Sequence, residues 1–203
     1  MLQHFLQDAT TLFVVIDPVG LVPIFIAITK KEPEVSRQRI AFLGVGISTI
    51  ILFSFLVAGQ TLLKALDISL PAFQIAGGLL LLIVGLQMVL SQNEHSASTD
   101  PESSIDLAVF PLATPLIAGP GGIMTVVLLT DNTKFGAMDQ VITSIALITV
   151  LLFTYLALLG ADFIQKRLGR TGVNVITRIL GLLVAALATE TILAGIRGYF
   201  IQL

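Results

Sequence analysis

The chain has 203 residues, 55% of them apolar and only 12% charged, with a mean hydropathy of +0.97; soluble domains carry about 25% charged residues, so this composition excludes an ordinary soluble domain. Zero cysteines exclude disulfides, thiolate nucleophiles and thiolate metal sites, and two histidines, His4 and His95, are too few for a histidine-built metal centre, so no cofactor and no metal are expected. The formal net charge of −2 comes with no basic patch, which excludes nucleic acid as a partner.

About 20 apolar residues suffice to cross a bilayer as a helix, and six such stretches follow one another. The first, residues 5–29, carries Asp8 near its start and Asp17 in its middle. The second and third, 40–63 and 71–90, hold no Asp, Glu, Lys or Arg, and the third holds Gln74 and Gln87. The fourth is 106–131 and the fifth 138–162. The sixth, 174–199, has Arg178 near its start, Glu190 inside and Arg197 near its end. Apolar runs that are continuous rather than alternating speak against a β-barrel. The expected fold class is therefore all-α, a polytopic membrane protein of six transmembrane helices. The first ten residues hold no Lys or Arg and no small-residue cleavage motif follows, so the first span is expected to stay in the mature protein.

Basic residues set the expected orientation. Lys30, Lys31, Arg37 and Arg39 follow the first span, and Lys166, Arg167 and Arg170 follow the fifth, with Arg178 at the edge of the next helix. The opposite side carries only Lys64, Lys134 and Arg197. Both termini are thus expected outside. The Ser-rich stretch 91–105 reads as a polar linker, dividing the chain into three-helix repeats at 1–90 and 106–203.

Shifted by 102 positions, Asp17-Pro18-Val19-Gly20 lies over Gly119-Pro120-Gly121-Gly122; shifted by 103, Gly78 lies over Gly181 and Gln87 over Glu190. Three spans per repeat force the halves into opposite orientations, the inverted-repeat plan of many transporters, which place their site near the midplane between the halves. Helix breakers fall at matching places. Pro18, Gly20 and Pro23 sit midway along the first span, and Pro111, Pro115, Gly119, Pro120, Gly121 and Gly122 crowd the fourth. Proline removes an N–H and glycine tolerates unwound backbone, so spans one and four are expected to be discontinuous. Such breaks are tolerable at membrane depth only in buried protein or beside a polar cavity.

The segments Asp17-Pro18-Val19-Gly20-Leu21-Val22-Pro23-Ile24-Phe25 and Pro111-Leu112-Ala113-Thr114-Pro115-Leu116-Ile117-Ala118-Gly119-Pro120-Gly121 resemble the first- and fourth-span signatures of the MarC family of membrane proteins. Ala72-Phe73-Gln74-Ile75-Ala76-Gly77-Gly78 and Arg178-Ile179-Leu180-Gly181-Leu182 are similar to its third- and sixth-span segments, so the resemblance covers essentially the whole chain. Asp17 stands where many members carry Asn, and Glu190 where an amide is commoner. The resemblance implies six spans, an inner-membrane location and, by analogy with some relatives, transport of small neutral amino acids.

A carboxylate at the centre of a membrane helix costs about 2.5–3.5 kcal/mol on insertion scales, so Asp17 and Glu190 are expected to face the protein interior. Two readings of Asp17 stand side by side: a cap on the half-helix beyond Pro18, or a receptor for an ammonium group or a coupling proton. Glu190 is either a second such receptor or a structural bond to a neighbouring helix. Half-helices starting near Gly20 and Gly121 would point their positive ends at the midplane. The candidate substrate-binding set is Asp17, Pro18, Gly20, Pro23, Pro115, Gly119, Pro120, Gly121, Gly122 and Glu190, with Arg178, Gln74, Gln87 and Thr114 as coupling or lining residues. The function read from this set is transport of a small zwitterion, with proton coupling an option. The alternatives are a passive channel, for which no ring of like charge is present, and a structural or regulatory membrane protein. No Gly-x-Ser-x-Gly or His-Glu-x-x-His motif occurs, so an enzyme is not expected. The patches Gly44-x-Gly46, Gly77-Gly78 and Gly181 with Ala185 and Ala186 would let helices approach closely, within one subunit or in a homo-oligomer. The expected surroundings are lipid and a small-molecule substrate.

Overall fold

Hydrocarbon offers the main chain no water to bond, so each apolar run has to close its own hydrogen bonds as a helix. The computed structural model, which describes residues 1–90, 104–131 and 136–201, follows that rule. Its elements are α1 (Leu2–Ile16), α2 (Pro18–Ile28), α3 (Glu34–Ala65), α4 (Leu70–Leu90), α5 (Ser104–Leu107), a wide-turned segment Ala108–Ile117, α6 (Pro120–Leu129), α7 (Ala137–Leu159) and α8 (Ala161–Ile201). There is no strand among the described residues. The expected linker at 91–105 falls, but for its last two residues, outside the described residues, as does Lys134.

Five helices are long and apolar enough to cross a membrane: Leu2–Ile28, Glu34–Ala65, Leu70–Leu90, Ala137–Leu159 and Thr171–Phe200. Ile105–Ile117 and Pro120–Leu129, bent by 54° at their junction, make the sixth when counted as one broken span. The chain is an all-α polytopic membrane protein. Gly169, at φ 66 inside α8, separates a surface helix from the sixth span; glycine adopts this left-handed conformation without the Cβ clash other residues meet.

The spans are buried unequally. The first is 56% buried and the sixth only 22%, which puts the broken first span in the middle and α8 at the periphery. Leu12, Val22, Phe25, Ile40, Leu52, Leu112, Leu147 and Leu158 form a fully enclosed core where α1, α2, α3, α7 and the segment Ala108–Ile117 meet. Exposed Phe42, Ile50, Val57, Leu79, Ile83, Leu182 and Leu193 form apolar faces of the kind that lipid covers.

The most extensive helix pairing is α4 with α8, and small residues make it possible. A Cβ placed on Gly78 would stand 3.1 Å from the Ala188 carbonyl, one on Gly85 would stand 2.9 Å from the Gly181 carbonyl, and one on Gly195 would stand 2.8 Å from the Pro71 carbonyl. These three contacts run in opposite chain directions, so the pair is antiparallel and its backbones touch. Elsewhere α1 and α2 lie against α7, the segment Ala108–Ile117 and α6 lie against α3, α2 lies against α8, and α6 lies against α4.

Polar clasps tie the two ends. On the side of the loops after the first and fifth spans, Arg37 Nη1 and Nη2 donate to the two carboxylate oxygens of Asp162 at 3.0 and 3.2 Å, and the guanidinium lies 5.8 Å from the Phe25 ring centre. Asp162 is exposed there and paired. At the opposite end His4 Nδ1 is 3.1 Å from Asp139 Oδ1, and Thr143 Oγ1 donates to the buried Asp8 Oδ2 at 2.6 Å.

Gly85→Leu is expected to lower the thermal unfolding midpoint of the purified protein by several degrees, since overpacking costs about 1–3 kcal/mol. Gly46→Leu, where a Cβ would meet nothing within 4 Å, is expected to leave it unchanged.

Candidate functional site

The first break is built on one residue. Asp17 adopts φ 47 and ψ 67, a left-handed conformation that Asp and Asn tolerate better than other side chains. Its N–H donates to the Phe13 carbonyl at 3.0 Å and its own carbonyl accepts from Leu21 N at 3.1 Å. Its side-chain Oδ1 accepts from Gly20 N at 3.0 Å. Asp17 thus closes α1 and caps α2 at once. Pro18 occupies the first helical position of α2, where its missing N–H costs nothing and its φ is already helical. Pro23 lies inside α2, half-buried, while Pro18 and Gly20 are buried.

The second break is looser. Phe110 (φ −136, ψ 125) and Thr114 (φ −129, ψ 122) are extended, the conformation imposed on residues that precede proline. Ala118 N reaches back to the Ala113 carbonyl at 2.9 Å, a wider turn than the α-helix makes. Gly119, extended at φ −79 and ψ 174, caps α6 without a side chain, and Pro120 takes the first helical position. Gly121 and Gly122 are buried, whereas Thr114, Pro115 and Pro120 are exposed. A Cβ on Gly121 would stand 3.4 Å from Val15 Cγ1 and 2.6 Å from Leu81 Cδ1. The end of α1 therefore abuts the start of α6, and the two breaks adjoin.

Other expected residues lie elsewhere. Gln74 is buried against Gly195, whose Cβ position would be 3.0 Å from Gln74 Cβ. Gln87 and Arg178 are exposed. Glu190 is exposed too, and lines a shallow groove of about 360 Å³ with Thr10, Thr11, Val14, Leu183, Ala186 and Leu187. It is not beside Asp17. The α8 residue that reaches the first break is Thr177: a Cβ on Gly20 would collide with the Asp17 carboxylate and stand 3.1 Å from Thr177 Oγ1. Glu190 lies thirteen positions further along α8, about 20 Å at 1.5 Å per residue.

A model described as the MarC family integral membrane protein matches residues 2–200. The chain belongs to the MarC family. It is 39% identical over 97% of its length to a UPF0056 membrane protein of Methanocaldococcus jannaschii, covering 98% of that protein. It is 35% identical to YvbG of Bacillus subtilis, covering 94% of this chain and 92% of the relative. It is 34% identical to YhcE of Escherichia coli, covering 93% and 90%. Both of these are also named UPF0056 membrane proteins, and the names state no substrate. No solved structure matches the chain.

In this MarC member the sequence reading missed Thr177 and the Asp8–Thr143 bond. A signal existed for the first: the 103-position shift that pairs Gly78 with Gly181 also pairs Gln74 with Thr177. Asp17→Asn is expected to keep the fold, because an amide oxygen still accepts from Gly20 N and Asn tolerates the left-handed backbone. Asp17→Ala is expected to cost about 1 kcal/mol through the lost cap, read as a lower unfolding midpoint than that of Asp17→Asn.

Proposed function

We propose that the protein is a transporter of a small zwitterionic solute, a small neutral amino acid, which binds where the two broken spans adjoin. The observation that carries this reading is the use made of Asp17. A carboxylate buried midway along a membrane span keeps one oxygen for the α2 cap and leaves Oδ2 without a hydrogen-bond donor among the described residues. A solute ammonium group is the complement of that oxygen. At the adjoining break, α6 begins with no side-chain cap, so its first amides and its positive end suit a carboxylate. A zwitterion offers both charges.

The helix contacts support an inverted-repeat arrangement, with repeats at 1–90 and 106–203. The packing of α1 and α2 on α7 has its counterpart in that of Ala108–Ile117 and α6 on α3; that of α2 on α8 has its counterpart in that of α6 on α4. In this reading the basic ends of α3 and α8, with Arg37 and Arg167, face the cytoplasm, the termini lie outside, and the membrane is the inner one. A proton gradient is the candidate driving force, and the bound solute leaves chemically unchanged.

Uptake of labelled glycine, alanine or serine into proteoliposomes tests the reading directly, with and without an imposed proton gradient. Saturable uptake by the wild type, reduced at least tenfold in Asp17→Ala, is expected. No saturable uptake of any of the three, or full uptake by a folded Asp17→Ala protein, would overturn it.

A further inference from the structure

Buried hydroxyls among the described residues are spent on their own helix or on a buried carboxylate. Thr29, Ser48, Thr125, Thr130 and Thr154 each donate to the carbonyl one turn back, at 2.6–2.8 Å, and Thr143 gives its proton to Asp8 Oδ2. Thr177 departs from this habit. Its Oγ1 is shielded from solvent and has no hydrogen-bond partner, an arrangement that normally costs about 1–3 kcal/mol. Where it points supplies the reason. The spot where a Gly20 Cβ would be is 3.1 Å from Thr177 Oγ1 and is taken up by the Asp17 carboxylate, so glycine at this position is what lets the two groups come near each other. Among the described residues no hydrogen bond joins the two groups, and it is Asp17 Oδ1 that takes the Gly20 N–H.

We propose that Asp17 Oδ2 and Thr177 Oγ1 form a seat for a compact monovalent cation, bridging the first span and the sixth. One carboxylate and one neutral hydroxyl carry a single negative charge, so a monovalent cation cancels it and removes the cost of an uncompensated carboxylate at depth. A divalent ion would be left with excess charge, and no group of three His, Cys, Asp or Glu able to hold a metal exists among the described residues. The two chemistries that fit are the ammonium group of an amino acid and a free sodium ion. The first deepens the transport reading, on which it rests, by naming the second residue that would recognise the substrate. Glu190, about 20 Å along α8 from Thr177, takes no part.

The full-length protein in detergent is tested by thermal unfolding with sodium chloride, methylammonium chloride or glycine, against choline chloride at equal ionic strength. The wild type is expected to be stabilised by at least one of the three. Thr177→Val keeps the side-chain shape without the hydroxyl, and is expected to weaken that binding about tenfold, the effect of losing one hydrogen bond to a charged group. Thr177→Ser is expected to restore it and Asp17→Asn to weaken it at least as much as Thr177→Val. Stabilisation by glycine and methylammonium identifies the substrate ammonium; stabilisation by sodium identifies the free ion. The seat is overturned if none of the three stabilises the wild type, or if folded Thr177→Val binds as the wild type does. Equal binding by Thr177→Val with normal amino-acid uptake removes the seat and leaves the transport reading standing. Cation binding lost in Thr177→Val, in a protein that takes up no amino acid, does the reverse.

Discussion

A main chain that breaks its helix at membrane depth must find partners for the freed N–H and carbonyl groups inside the protein, and the architecture is arranged around two such places. At the first, Asp17 meets the demand with three hydrogen bonds of its own: to Phe13, from Leu21 and from Gly20. At the second, Pro111 and Pro115 force extended residues before them, and a wide turn to Ala113 takes up the slack. The first break is sheltered by the deep burial of its span, while at the second Gly119, Gly121 and Gly122 are buried and Thr114, Pro115 and Pro120 are exposed; α4 and α8 keep exposed apolar outer sides.

Burying a break also brings distant parts of the chain together. The end of α1 meets the start of α6 through Val15 and Gly121, and α2 meets α8 through Gly20 and Thr177. Clasps at the two ends of the molecule involve other partners, Arg37 with Asp162 and His4 with Asp139. Such exposed or half-exposed ion pairs contribute little stability singly. The tight α4–α8 crossing and the enclosed core around Phe25 and Leu112 hold the helices in place; the clasps fix which ends lie side by side.

Much of this was legible in the sequence because the signals are local. Pro18 and Pro120 mark first helical positions, and Gly20 and Gly121 mark close approach, whatever surrounds them. Gly85 and Gly181 were readable as small residues but not as partners, because their meeting depends on the antiparallel register of α4 and α8. Tertiary placement also explains the separation of Asp17 from Glu190. Both are carboxylates within apolar runs, and the mixture of Ala, Thr, Leu and Ile around Glu190 does not say which side of α8 faces protein. Thr177 was hidden for the opposite reason. A threonine in a membrane helix is ordinary, and only its missing bond to the preceding turn sets it apart.

The length of the sixth span carries a consequence about membrane thickness. Arg178 and Arg197 are both exposed and stand nineteen positions apart, about 29 Å of helix, close to the about 30 Å of a typical hydrocarbon layer. The antiparallel register sets Arg178 level with the end of α4 near Met88 and Arg197 level with its beginning near Pro71. Because a long arginine side chain reaches outward to the headgroups, the backbone at Arg178, and Thr177 beside it, lies inside the hydrocarbon layer, and the span tolerates a layer thicker than the distance between its two arginines.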